Sequence, residues 1–354
     1  MSASKIIATG AYIPTVDVPN EHFSDRLFFG TDGKAIDQPT EDIIRKFNLI
    51  TGIERRRYAP EGMTASDMGA FASQLALEEA GIDRESIDMI IVAHNYGDMK
   101  FHGAARDMVP SLASRIKYKL GISNTNCIPY DIIFGCPGWL QGFIQADQAI
   151  KAGAANTCLV IGCETLSRVL DHSDRDSMIF SDGAGAIIVQ RNASDHRGIL
   201  STAVRSDCKD ELEYIYSAGE NNGDDTGTSF IKMKGRKVYE YALKHVPLAM
   251  KECFDRSGEK IEDLKMILIH QANEKMDEAI VKRFFELYGI DNLPKNIMPM
   301  NISTLGNSSV ATIPTLLHQV LSGQIEPFRL DKGDLILFAS VGAGMNINAM
   351  TYSW

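Results

Sequence analysis

Glu262-Asp263-Leu264-Lys265-Met266-Ile267-Leu268-Ile269-His270 repeats the pattern of Ser86-Ile87-Asp88-Met89-Ile90-Ile91-Val92-Ala93-His94. In both, a short apolar run of the kind that forms a buried strand closes on a histidine. Each follows a stretch of helical periodicity, about residues 64–80 and 236–256. A second correspondence starts at Cys136 and at Asn307. From each, a helix-like run leads to a glycine turn, Lys151-Ala152-Gly153 and Leu321-Ser322-Gly323, and then to an apolar strand, Cys158–Gly162 and Leu335–Ala339. Glycine-rich strands follow, Asp182-Gly183-Ala184-Gly185-Ala186-Ile187-Ile188-Val189 and Gly342-Ala343-Gly344-Met345-Asn346-Ile347-Asn348. The spacings agree to within one residue from Cys136 to Gly153 and from Asn307 to Gly323. An internal duplication of α/β units is expected, with halves 1–192 and 193–354. In such a duplication Cys136 and Asn307 occupy corresponding positions and can meet at the axis between the halves.

The chain has 354 residues, a net charge of −10, 44% hydrophobic and 23% charged residues, an ordinary globular balance. The acidic charge without a long basic tract argues against nucleic acid as a partner. No apolar run reaches the roughly 18 residues of a membrane helix, so no membrane association is expected. The N-terminal segment lacks the apolar core of a signal peptide, which points to the cytoplasm. Six cysteines without a C-x-x-C pair suggest neither a disulfide framework nor a metal site, and no cofactor is expected. Cys158 and Cys163 read as small buried hydrophobes. Segments 25–45, 95–110 and 205–230 read as loops or caps.

Cys136 follows a strand-like run, Tyr130–Phe134, and opens a helix-like run at Pro137. A thiol at a helix N-terminus faces unpaired N–H groups and the positive end of the dipole, which favours thiolate. His270 and Asn307 sit at other apparent strand ends. A Cys, a His and an Asn are the parts of a covalent acyl-transfer site. Singly, each has a plainer reading: an inert thiol, a core histidine, a helix N-cap. Together with the duplicated geometry they favour catalysis. His94, the counterpart of His270, reads mainly as loop packing.

Thr51-Gly52-Ile53-Glu54-Arg55-Arg56-Arg57, the Cys136 elbow, Asp174-Arg175, Phe180-Ser181-Asp182-Gly183-Ala184-Gly185-Ala186, His270-Gln271-Ala272-Asn273, Gly306-Asn307-Ser308 and Gly342-Ala343-Gly344 occur in this order. On these landmarks the chain resembles the thiolase superfamily, specifically the β-ketoacyl-acyl carrier protein synthase III group, from Ile6 to the C-terminus. The resemblance implies a five-layered α-β-α-β-α sandwich, a homodimer, and a ping-pong Claisen condensation on acyl-coenzyme A or acyl carrier protein thioesters. It assigns Cys136 as nucleophile and His270 and Asn307 as hydrogen-bond donors to the thioester carbonyl. The backbone N–H groups of Cys136 and Ala343 become the oxyanion hole. It places Arg175 at the coenzyme A nucleotide and Lys275 and Lys282 at the carrier protein.

Several positions depart from the group. No tryptophan precedes Thr51, where Phe47 is the available stacking ring. Glu240 replaces a carrier-contacting lysine, Pro137 follows the nucleophile, and Val109 stands where a partner-subunit phenylalanine limits the acyl pocket. These point to a specialised condensing enzyme, compatible with the dialkylresorcinol-forming ketosynthases, whose second substrate is a β-ketoacyl thioester. The alternatives are a fatty-acid-initiating synthase III, an acyltransferase to a hydroxyl or amine, and a non-catalytic acyl-binding subunit. A hydroxymethylglutaryl-coenzyme A synthase-like reaction ranks low, because no glutamate lies close before Cys136. Thiol-protease chemistry is disfavoured by the repeat.

Overall fold

Two buried strands set the architecture, β6 (Thr157–Thr165) and β12 (Leu335–Gly342), every residue of which is shielded from solvent. Strands apolar on both faces need cover on both faces, and each lies inside a sheet of its own. The computed structural model describes residues 3–192, 198–223 and 227–354. The expected junction of the halves at 192/193 adjoins residues 193–197, which lie outside the described residues, as do residues 224–226 of the 205–230 segment.

The first sheet runs β1 (Ala3–Tyr12), β7 (Asp182–Asn192), β6, β4 (Met89–Ala93), β5 (Ile128–Ile132). The second runs β8 (Gly198–Ser206), β13 (Asn346–Ser353), β12, β11 (Leu264–Ile269). Directions match pair for pair: β4 and β6 are parallel as are β11 and β12, and the other shared pairings are antiparallel. Among the described residues the second sheet has no counterpart of β5, which is an edge of the first sheet.

Between the sheets lie α4 (Gly138–Lys151) and α8 (Thr312–Leu321). Their apolar faces share one core with Ile91 and Val160 of the first sheet and Phe338 and Tyr352 of the second. Outside the first sheet pack α2 (Ala65–Ala80) and α3 (Leu112–Lys119), and outside the second α5 (Gly235–Ser257) and α6 (Glu274–Glu286). The result is the five-layered α-β-α-β-α sandwich expected. Local signals explain where these helices start. Thr64 and Asp67 form a reciprocal capping box for α2, and Asn273 Oδ1 accepts the Met276 N–H at 3.0 Å to begin α6.

The segments expected as loops are partly ordered. Residues 25–45 run into α1 (Thr40–Thr51), and β9 (Ile215–Ala218) pairs with β10 (Phe230–Met233) as a hairpin outside both sheets. Lys232 on β10 is buried against Asp171, 3.4 Å from Asp174 and 2.7 Å from Asn221 Oδ1, which anchors this hairpin. The Gly342–Asn348 stretch is a strand end, a tight turn at Ala343–Met345 and a new strand, not one continuous strand. The remaining elements are β2 (Val16–Pro19) paired with β3 (Arg55–Tyr58), and α7 (Ile302–Leu305). Among the described residues no helix is long and apolar enough to cross a membrane.

Phe143 of α4 packs its ring 5.9 Å from that of Tyr352 in the opposite half, tilted by 48°. Phe143→Ala is expected to lower the free energy of unfolding by about 3–5 kcal/mol, read by guanidinium denaturation. A loss below about 1 kcal/mol would show that the two halves do not share a core.

Candidate active site

Cys136 lies two residues before α4, in the turn that follows β5. The Ala343–Met345 turn presses against it so closely that two side chains are excluded. A Cβ at Gly342 would fall 2.4 Å from Cys136 N, and one at Gly135, where φ is +68°, would fall 2.7 Å from Ala343 N. Glycine at both positions lets the two backbones meet. The backbone amides of Cys136 and Ala343 are thereby brought to one corner of a cavity.

That cavity has a volume of about 380 Å³ and is lined by Cys136, His270 and Asn307 together, with Phe134, Phe180 and Met276 among its apolar walls. His270 ends β11 and its N–H donates to Ala339 O at 2.9 Å. The rest of its motif is scaffolding: Gln271 accepts from the N–H groups of Asn301 and Ile302, and Asn273 caps α6. Asn307 is clamped to the first half, its N–H donating to Ile179 O at 3.0 Å and its carbonyl accepting from Ser181 N at 2.8 Å. His270 and Asn307 are each only 4% exposed.

Burial decides the electrostatics. It pushes the Cys136 thiol up to about 11 and the His270 imidazole down to about 4. The thiolate expected from the helix N-terminus is therefore not the resting form: desolvation outweighs the dipole, and Glu164 adds a repulsive charge. The empty site holds a thiol and a neutral imidazole. Such an imidazole can accept the thiol proton during attack or donate its N–H to an oxygen, chemistry suited to covalent acyl transfer.

Three polar residues beside the thiol were not singled out from the sequence. Ser309 Oγ donates to Cys136 Sγ at 3.3 Å, Asn95 Nδ2 donates to Ser309 Oγ at 3.1 Å, and Glu164 Oε1 accepts from Asn95 Nδ2 at 2.7 Å. A glutamate thus does approach the nucleophile, but from β6 and through two side chains, so sequence proximity to Cys136 could not find it. The one visible signal was a carboxylate closing an otherwise apolar strand. His94 pairs with Asp131 at 3.0 Å, and Asp131 also accepts the first N–H groups of α3, so His94 packs the loop.

The other predicted residues are outside the cavity lining. Phe47 packs against Ile53 and Ile302, 5.8 Å from the Arg56 guanidinium, and serves the core rather than the cavity. Arg56 is fully buried, donating to Met178 O, Val18 O and Asn20 Oδ1, so it is structural. Arg175 is exposed, 3.6 Å from Asp176. Lys275 and Lys282 are exposed on α6. Val109 is 87% exposed.

Comparison with known proteins gives a consistent picture. Residues 130–208 match the family 3-oxoacyl-[acyl-carrier-protein (ACP)] synthase III, and residues 254–354 match its C-terminal family. A β-ketoacyl-[acyl-carrier-protein] synthase III of Xanthomonas oryzae pv. oryzae is 33% identical over 347 residues, covering 96% of this chain and 95% of the relative. The 3-oxoacyl-[acyl-carrier-protein] synthase III structure from Aquifex aeolicus superposes with a TM-score of 0.81 at 30% identity, over 99% of this chain and 100% of that one. The priming β-ketosynthase of the R1128 polyketide pathway also reaches 0.81, at 27% identity over 99% of this chain and 96% of that one.

Glu164 is fully buried, and burial raises its carboxyl to about 7. Its folded value lies above the ordinary carboxylate value, so its contribution to stability is complete below about 4.5 and is lost as pH rises through 7. Glu164→Gln is therefore expected to raise Tm relative to the parent at pH 8 more than at pH 5. Equal effects at both pH values would contradict this protonation.

Proposed function

The chain belongs to the 3-oxoacyl-acyl carrier protein synthase III family, and from that premise we propose that it is a cysteine-dependent acyltransferase that forms a carbon–carbon bond by Claisen condensation. The observation that carries this reading is the convergence of Cys136, His270 and Asn307 on one cavity with largely apolar walls.

In this mechanism Cys136 Sγ attacks the carbonyl of an acyl thioester while its proton passes to His270. The tetrahedral oxyanion is held by the N–H groups of Cys136 and Ala343, which the two flanking glycines bring together. The departing thiolate takes the proton from His270, and the acyl group remains on Cys136. A malonyl or β-ketoacyl thioester then enters, with its thioester carbonyl facing His270 and Asn307. Loss of CO2 from a malonyl thioester, or of an α-proton from a β-ketoacyl thioester to the neutral His270 imidazole, places enolate charge on that oxygen, where fixed donors stabilise it without solvent reorganisation. The carbanion attacks the Cys136 thioester, and the cysteine leaves as thiolate.

The departures in sequence support a specialised second substrate, a β-ketoacyl thioester, as in dialkylresorcinol formation. Phe47 stands where a tryptophan would stack on adenine, and its half-buried ring packs on Ile53 and Ile302. The β9–β10 hairpin contributes Ile215, Tyr216 and Ile231 to the cavity wall, giving it an extended apolar side. Met276 of α6 lines the cavity, and in this reading Lys275 and Lys282, exposed on the same helix, contact an anionic carrier protein while the exposed Arg175 meets the coenzyme A nucleotide.

The assembly we favour is a homodimer through β5. This strand is the edge of the first sheet, and Ile128 and Ile133 are more than half exposed at its ends. An unpaired edge bearing apolar side chains is a template for a second copy. Val109, more exposed still, would then reach the partner's cavity.

Incubation with a panel of acyl thioesters is expected to add an acyl mass to the intact protein, and Cys136→Ala to abolish it. Subsequent β-ketoacyl thioester is expected to give a carbon–carbon-linked product. Efficient use of malonyl carrier protein with no use of β-ketoacyl thioesters would overturn the specialised role. No adduct from any thioester would overturn the enzyme reading. Light scattering is expected to give twice the chain mass, and a monomer at micromolar concentration would contradict the β5 assembly.

A further inference from the structure

Ser309 stands in a conformation that serine rarely adopts. Its φ is +54°, in the left-handed region, although it is buried and lies in a turn that glycine would fill without strain. A strained residue persists where its side chain or backbone does something a relaxed one would not. Here both do. The backbone N–H donates to Asn307 Oδ1 at 2.8 Å, and the hydroxyl meets Cys136 Sγ at 3.3 Å.

The direction of that hydroxyl is set from behind. Glu164 Oε1 accepts from both the backbone N–H and the Nδ2 of Asn95. A carboxyl oxygen in this position accepts whether or not the other oxygen, which is buried without a partner, carries a proton. The Asn95 amide is thereby oriented with nitrogen toward Glu164, and its second N–H points at Ser309 Oγ. With an acceptor site of Ser309 occupied by that donor, its own proton is directed to the sulfur. The chain of donors runs one way, from Asn95 through Ser309 to Cys136.

We propose that Ser309 is a further catalytic residue, a fixed hydroxyl donor to the Cys136 sulfur, and that Asn95 and Glu164 are positioning residues that hold its proton toward the thiol. This rests on Cys136 as nucleophile. The hydroxyl acts twice in the reaction. It supports the negative charge that develops on Sγ as the proton leaves for His270 and the S–C bond forms. It supports the same charge again when the condensed product departs and Cys136 is released as thiolate. In a pocket where burial opposes ionisation, a charge-assisted hydrogen bond is worth more than at the surface.

The titratable and charged groups around the sulfur include Glu164 on β6, His270 after β11, Tyr96 after β4 and Arg106, whose guanidinium lies over the Tyr96 ring, with His94 paired to Asp131 behind Glu164. Ser309→Gly deletes the hydroxyl while relieving the left-handed backbone, so it tests the hydrogen bond apart from folding. The readout is the rate of Cys136 alkylation by iodoacetamide against pH, followed by intact mass. In the variant the midpoint is expected to rise by about one unit, with alkylation near neutral pH slowed about tenfold, the size of one hydrogen bond to a charge. Thermal stability is expected to be unchanged or higher. Adding Asn95→Ala to Ser309→Gly is expected to move the midpoint no further. Coincident profiles for Ser309→Gly and the parent overturn the proposal, and an additive shift in the double variant overturns the role of Asn95. Alkylation needs no thioester, so a missing acyl adduct in the parent would sink the condensation reading while leaving this result to be read on its own.

Discussion

Two backbones approach more closely than any side chain would permit, and the catalytic corner exists because of it. Gly135 and Gly342 are the positions where Cβ atoms would collide with Ala343 and Cys136. The first belongs to the half that carries Cys136, the second to the half that carries His270 and Asn307. Each half supplies the space the other needs, so the site cannot form in either half alone. The central layer enforces the approach: α4 and α8 pack into one core between the sheets, and the turns at their N-terminal ends face the same cavity.

A dry site has an electrostatic cost, and the arrangement of Cys136 and His270 shows how it is met. Neither group is charged at rest, so the empty cavity carries no ion pair that would have to be desolvated on folding. Charge arises only when substrate arrives, and donors already in place receive it. In the proposed mechanism the backbone amides of Cys136 and Ala343 serve the carbonyl oxygen, and polar side chains serve the thioester and the sulfur.

Much of this was legible in the sequence. The paired motifs 86–94 and 262–270 mark equivalent strands β4 and β11, and the strand orders of the two sheets agree over four positions. Cys136 and His270 were visible because each follows an apolar run, and Asn307 because the duplication makes it the counterpart of Cys136, although it follows the short helix α7 and not the strand expected. Asn95, Glu164 and Ser309 were not, because their meaning lies in a chain of hydrogen bonds between residues up to 214 positions apart. The ionisation of Cys136 was misjudged for a related reason: helix position is a local property, whereas desolvation depends on the completed cavity. Phe47 was read as a stacking ring from its place before Thr51; the fold leaves it half-buried, 5.8 Å from the Arg56 guanidinium and outside the cavity lining.

The β9–β10 hairpin lies outside both sheets and is tethered by the buried Lys232–Asp171 contact, while Ile215, Tyr216 and Ile231 form part of the cavity wall. The wall that meets the substrate is thus a detachable part in evolutionary terms. Its sequence can drift without disturbing the strand pairings or the central core, provided the tether survives. In the proposed reading, part of the acyl selectivity is written outside the two sheets and the central core, which allows one scaffold to be retuned to new substrates while the residues at Cys136 are left untouched.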